Sequence, residues 1–493
     1  MKRFAVLAAI ALAAGCASLQ DRYPSPPARE CAEWYQALDE ATDAAAVRDA
    51  QYSRVAGFPY LRVDRMLASL RSRAAANEPA LHAFAERLLE LDLESRRHEI
   101  DNLPREQLDA LPQMRRELPR ASALRRTYEC GRLLREIDMA KPQARAAMLS
   151  AAQVPDDYSS ASRVLGLYAL TRIPFARSVR QWEADTVDRF GRETGTLRVR
   201  YAPPAAPAIS RLTVAGYLGR AVLDPLGQPT LSEREFERLM AAYAPSFDIA
   251  LAGDYDRFGL LRWRRDSAMP EVDPAEAAVY VQPAYTRYGE RVLLQLVYTI
   301  WFPERPAQGE FDLLAGKLDG IIWRVTLAPD GAPLLYDSIH PCGCYHVFFP
   351  TPRARPRPAP DALDEWAFVP QMLPPVGEDE RPVVRIASAT HYIEGVSLVR
   401  GSDSVARYVF RPYGELRSMQ RIGEGARSAF GPDGIIAGSE RAERFLFWPM
   451  GIASAGAMRQ WGRHATAFVG RRHFDDADLL ERRFELDLGE PGR

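Results

Sequence analysis

Residues 277–302 read AAVYVQPAYTRYGERVLLQLVYTIWF, two runs dense in valine, tyrosine, threonine and other residues that suit a pleated, partly buried surface. Similar runs follow: GIIWRVTLAPDG at 320–331, APLLYDSIH at 332–340 and YHVFFP at 345–350. PDG at 329–331 is a turn signal between two of them. TLRVRYAPP at 196–204 alternates like a strand, and RPVVRIASATHYIEGVSLV (381–399) and ARYVFRPYG (406–414) return to β character. Among these runs SEREFERLMAAYA (232–244) reads as a helix capped by Ser232, with Glu235 three residues on.

Before about residue 190 the pattern is helical. EPALHAFAERLLELDL places Leu81, Phe84, Leu88 and Leu89 on one helix face, with Pro79 near its start. YLRVDRMLASLRSRAA (60–75), YECGRLLREIDMA (128–140) and SSASRVLGLYALTRI (159–173) continue the pattern, with Pro174 closing or kinking the last. His82 and His98 fall in these helices as solvated or capping side chains. After residue 443, two further helices are expected, one rich in small residues and one beginning near Asp475 or Asp476. The fold class expected is α+β, a helical N-terminal domain followed by a larger, β-rich C-terminal domain. Its boundaries are a helical domain at 29–195, a β-rich first part at 196–349, a Pro/Arg-rich connector at 350–362 and a second part at 363–493.

The chain opens MKRFAVLAAIALAAGCASLQ. Lys2 and Arg3 precede an apolar run from Phe4 to Ala14 that is too short to span a bilayer and has the layout of a secretion signal. LAAGC resembles the lipobox of bacterial lipoproteins, although Ala13 stands where that family usually has leucine. The resemblance implies a signal peptide at 1–15, acylation of Cys16 by a palmitate-class lipid, a tether at 16–28 and attachment to the membrane through that lipid. Ala17 follows the cysteine where an aspartate would signal inner-membrane retention. The implied address is therefore the outer membrane, facing the periplasm.

The whole chain of 493 residues carries 64 basic and 65 acidic side chains, so no nucleic-acid footprint is expected. Beyond Cys16 there are four cysteines, and the periplasm is oxidising. Cys31 and Cys130 share the helical region and are the economical disulfide pair. Closing so long a loop stabilises by roughly 4–5 kcal/mol under the chain-entropy model.

IHPCGCYHVFFP, 339–350, is the candidate site. His340, Cys342, Cys344 and His346 share parity, so on a straight strand all four would point one way. Thiolate and imidazole are the donors zinc and copper prefer. Strand positions two apart lie roughly 6–7 Å from each other, too far for four ligands on one ion. Pro341 and Gly343 must therefore curl the segment, and His391, His464 or His473 would complete the shell. The expected function is a lipid-anchored envelope protein with a His/Cys zinc or copper site at His340, Cys342, Cys344, His346, His464 and His473, with enzymatic activity left open. One alternative is a thiol–disulfide redox protein using Cys342 and Cys344. Another is a non-catalytic structural or interaction lipoprotein.

Other constellations are weaker. Asp337, Ser338 and His340 are adjacent, but proximity in sequence is not triad geometry. Glu310, Asp312 and Asp319 read as turn and surface acids. RRHFDD offers His473 with Asp475 and Asp476, for metal binding or acid–base chemistry.

Overall fold

The computed structural model describes residues 22–112, 119–192, 197–360, 363–401, 406–421, 423 and 425–489. Cys16 and the lipobox lie outside the described residues. The protein is α+β, and it divides into two compact units, Met1–Val154 and Pro155–Arg493. The division falls well before residue 195, where the sequence changes character.

In the first unit, helices α1 (Pro26–Ala44), α2 (Glu78–Asn102) and α3 (Pro119–Met139) pack with a hairpin of β1 (Ser53–Val55) and β2 (Phe58–Val63). Asn77 caps α2 by accepting from the Ala80 amide at 2.9 Å, and Leu81, Phe84, Leu88 and Leu89 are buried as the periodicity requires. Cys31 on α1 and Cys130 on α3 form a disulfide. The helix expected over 60–75 is corrected at its start. Residues up to Val63 belong to β2, and Asp64 caps a short helix, Arg65–Ser69, by accepting from the Leu67 amide at 2.7 Å. A buried ionic cluster sits beneath: Arg62 donates to Asp92 at 3.2 Å and to Glu99 at 2.6 Å. Of the two helical histidines, His82 is exposed as expected, whereas His98 is buried.

The second unit begins with α4 (Ser160–Leu165) and α5 (Tyr168–Arg189). The single helix expected here breaks at Gly166, where a Cβ would lie 2.5 Å from the Pro449 Cβ, and at Leu167, whose φ is +51°. Pro174 sits inside α5 without ending it. Next come β3 (Arg198–Ala202), α6 (Glu233–Ala242) and β4 (Ser246–Ala250). Ser232 and Glu235 form the capping box at the start of α6. The meander β5 (Ala278–Tyr288), β6 (Arg291–Arg305), β7 (Gly316–Leu327), β8 (Pro333–Ile339) and β9 (Val347–Pro350) follows. After it come β10 (Glu380–Ile386), β11 (Ile393–Arg400), β12 (Ala406–Arg407) and β13 (Val409–Pro412). One sheet has the order β9–β8–β7–β6–β5–β13 and a second the order β11–β10–β4–β3–β12.

The six-stranded sheet is buried on both faces. Ile321, Trp323 and Val325 of β7 enter one core with Leu239 of α6 and Phe247 of β4, while Ile322 enters another with Trp461 and Phe474. Burial on two faces explains why β6 reads as an almost unbroken apolar run. Trp323 stacks on Tyr336 and Phe349, with ring centroids 5.4 and 5.5 Å apart.

Three expectations fail toward the C-terminus. The small-residue helix does not form: only Arg444–Phe447 is α-helical, a 3₁₀ turn follows at Trp448–Met450, and the chain then runs irregularly. Gly451, Gly456, Gly462 and Gly470 all take φ above +80° there, which no helix accepts. The last helix, α7 (Leu479–Arg483), starts after Asp478 instead of near 475. The connector holds one short strand, Ala354–Pro356, paired with Phe484–Leu486.

Candidate functional site: a curled thiol turn on an aromatic cavity

The site grows from the β8–β9 hairpin. Ser338 pairs with Val347, so residues 340–346 form its loop. That loop curls: the Gly343 amide donates to the His340 carbonyl at 2.8 Å, and the His340 amide to the Cys344 carbonyl at 3.0 Å. Gly343 has φ +88°, and a Cβ there would lie 2.5 Å from the Ala465 carbonyl oxygen, so glycine is required for conformation and for space. Tyr345 also lies in the left-handed region, at +60°.

The curl does not gather the donors. His340 Nδ1 meets Asp319 Oδ1 at 3.0 Å, whereas His346 Nε2 meets Asp337 Oδ2 at 3.0 Å. Asp337 pairs across the ladder with Arg324, five residues from Asp319 along β7, or roughly 17 Å. An odd separation puts Asp319 and Arg324 on opposite faces of the sheet. The curl expected from Pro341 and Gly343 forms, but it turns the two imidazoles apart: each leans on a carboxylate of a different face. Among the described residues no group of three or more His, Cys, Asp or Glu is arranged to hold a metal ion. His340 and His346 are hydrogen-bonded to different carboxylates.

His464 is buried and its Nε2 has no partner among the described residues, as is true of His346 Nδ1. Burial pushes both imidazoles down to about 3, so both are neutral at pH 7. His473 sits away from the turn's carboxylates, with Asp156, Asp157 and Asp476 between 3.4 and 3.6 Å from its ring nitrogens.

Asp319 is the hub that sequence reasoning missed, since it reads there as a surface acid. It is fully buried and also receives His391 Nδ1 at 2.9 Å and Arg441 at 3.4 Å. Burial alone would raise its pKa, but His340 and Arg441 outweigh burial and hold the carboxyl well below the usual range. The second nitrogen of His391 faces the Tyr255 carbonyl at 3.2 Å and Asp256 Oδ1 at 3.6 Å. Acceptors at both nitrogens favour the charged form of His391: burial opposes the charge, and Asp256 and Asp319 raise its pKa in spite of it. His340 is lowered, burial outweighing Asp319, and stays neutral. Leu318, Ala389 and His391 have φ of +58°, +63° and +53°, so strained backbone gathers around this network. Asp337 is likewise spoken for by Arg324, at 2.9 and 2.5 Å, and by His346, which leaves no triad with Ser338.

Cys342 and Cys344 are unbonded to each other. Cys342 is buried and Cys344 half-buried. The neighbouring Cys342 thiol first, and burial second, raise the Cys344 pKa well above its ordinary value, so its proton is retained at neutral pH. Both cysteines line a cavity of about 630 Å³ inside the second unit, within the range of small-molecule sites. Its wall is aromatic, with Trp182 between Tyr345, Phe368 and Tyr392 at centroid distances of 5.3, 5.4 and 6.1 Å. Glu443 also faces it, only 3 % exposed, with no hydrogen bond or ion pair to its carboxyl among the described residues. Burial pushes that carboxyl up to about 7. Glu183 on α5 is raised to about 7 as well, by burial and then by Glu365.

Sequence comparison adds no relative. No family model, curated protein or solved structure matches this chain.

Proposed function

We propose that this protein is a thiol–disulfide redox protein of the bacterial envelope, held to the outer membrane by a lipid on Cys16. The observation that carries the redox reading is the pair of unbonded thiols of Cys342 and Cys344, two residues apart on the curled turn and both on the wall of an aromatic cavity. The anchor rests on LAAGC and the apolar run before it.

Exposure assigns the roles. Cys344, the less buried residue of the pair, passes its proton to the Glu443 carboxylate on the same cavity wall and attacks one sulfur of a substrate disulfide. One substrate sulfur leaves as a thiolate and a mixed disulfide forms on Cys344. Cys342 then gives its proton to the departed substrate thiolate and attacks Cys344, closing the Cys342–Cys344 bond and expelling the second substrate thiolate, which takes the proton held on Glu443. The dithiol loses two electrons and two protons, and the substrate disulfide gains them. A disulfide closed over one glycine is a small ring and so exchanges readily.

The test is thiol counting by mass spectrometry in graded mixtures of oxidised and reduced glutathione. Cys342 and Cys344 should be consumed together, yield one peptide linked between them, and be released again by reduced glutathione. Alkylation of either thiol without formation of the pair would sink the proposal. Cys342→Ser should trap the glutathione adduct on Cys344, and Glu443→Gln should slow its formation about 10-fold or more near pH 7. The anchor is checked separately: labelled palmitate should enter the wild type and not Cys16→Ala.

A further inference from the structure

Helix α5 covers the cavity like a lid. Its inner side contributes Phe175, Val179 and Trp182 to the lining, and of its 22 residues only Ala176 and Thr186 are buried. The outer side is unusual for a surface helix. Leu170 and Ile173 are exposed, as are Leu165 (77 %) and Leu167 just before it. Phe445 (72 %), Leu446 and Trp448 extend the apolar surface, because the 3₁₀ turn at Trp448–Met450 packs on α4 and α5. Leu446 both lines the cavity and is exposed, so this surface reaches the cavity rim.

Charge selects what covers it. From Tyr158 to Trp182 the chain carries four arginines and no acid, but Arg163 is buried against the Met450 and Gly470 carbonyls and Arg172 faces Asp364 at 3.7 Å, and the acids of α5 (Glu183, Asp185, Asp188) lie toward its C-terminus. Arg177 and Arg180 are exposed on the outward side beside Leu170 and Ile173. An apolar stripe flanked by arginines is the pattern of a helix that lies in the headgroup region of an anionic bilayer. A protein partner would meet this face equally well on hydrophobic grounds. The positive charge of exposed Arg177 and Arg180 beside the apolar stripe, together with an apolar cavity opening at the same rim, favours lipid.

We propose that the α4–α5 face, with Phe445 and Trp448, docks on the surface of an anionic bilayer, and that the cavity beneath takes one acyl chain of an anionic phospholipid drawn from it. The aromatic wall receives the chain, and Arg177 and Arg180 meet the phosphate at the rim. This site shares its cavity with the thiol pair but does not depend on thiol chemistry.

Flotation tests the docking. The full chain carrying Cys16→Ser, which has no acyl anchor, should float with vesicles of phosphatidylglycerol and phosphatidylethanolamine. It should not float with phosphatidylcholine vesicles, and added salt should weaken its binding. Leu170→Glu with Ile173→Glu should abolish flotation while leaving the melting temperature unchanged. Phosphatidylglycerol brominated on its acyl chains should quench tryptophan fluorescence, a fraction that Trp182→Phe removes and Ser178→Trp, which fills the cavity, prevents. Flotation that survives the paired glutamates, equal flotation on neutral vesicles, or flotation without quenching would each overturn the proposal. Leu170→Glu with Ile173→Glu, which lie outside the cavity lining, should leave glutathione-driven closure of Cys342 on Cys344 as in the wild type, which separates this outcome from the redox one.

Discussion

Glu443, His391 and the two depressed histidines pull the stability of the second unit in opposite directions with pH. Glu443 and His391 have raised pKa values, Glu443 to about 7, so the native protein holds their protons more tightly than the unfolded chain. Their contribution is present at low pH and is lost as pH rises through the folded values. His346 and His464, depressed to about 3, remain neutral in the fold while the unfolded chain takes up protons below about 6.5. Their contribution is lost as pH falls. Stability should therefore peak near pH 6–7 and decline on both sides, read as the urea midpoint across a pH series. Glu443→Gln should remove a decline of on the order of 3 kcal/mol between about pH 4.5 and pH 7, so the acid limb rises more steeply while the limb above pH 7 stays in place. Asp319→Asn should cost about 3–5 kcal/mol, because Arg441 and the charged form of His391 lose their shared counter-charge while still buried. At this scale the sequence located the turn but not its partners. Two cysteines and two histidines in seven positions mark a place, whereas Asp319, His391 and Arg441 are joined to it only by strand pairing and by loops far along the chain.

Strands were more legible than irregular chain, for a physical reason. A strand of the six-stranded sheet carries its signature in its own composition, so β5 to β9 lie where valine, isoleucine and aromatic residues cluster. The segment from Gly451 to Arg472 is apolar because it packs against the 340–346 turn and the cores beside it, and apolarity without a period was open to misreading as a helix. The same packing sets the expected behaviour of the turn. Gly343→Ala should destabilise by about 1–3 kcal/mol for strain alone, and by more once the Ala465 carbonyl is displaced. The two thiols should then become alkylatable at unequal rates, because the Cys342–Cys344 contact depends on the curl. Equal rates and an unchanged melting temperature in that variant would show that the loop tolerates a side chain and that the curl is not specific to glycine.

At the scale of the molecule, the division at Val154/Pro155 was hidden because helices lie on both sides of it. Helix α5 is helical in sequence and belongs to the β-rich unit, where it closes the cavity, so a reading that sorts residues by secondary structure assigns it to the wrong body. The two units also carry their cysteines to different ends. Cys31 and Cys130, 99 residues apart, are bonded and sit among the helices, while Cys342 and Cys344 are free on a cavity wall. Replacing Cys31 and Cys130 with serine should lower the stability of the first unit by about 4–5 kcal/mol, the cost of restoring a long open loop to the unfolded chain. Hydrogen exchange would locate that loss in α1 and α3. Protection of β5 to β9 should persist, and so should glutathione-driven closure of Cys342 on Cys344, if each unit holds its own core. Simultaneous loss of protection in both would mean that the second unit draws its stability from the first, and the assignment of thiol chemistry to the second unit alone would then fall.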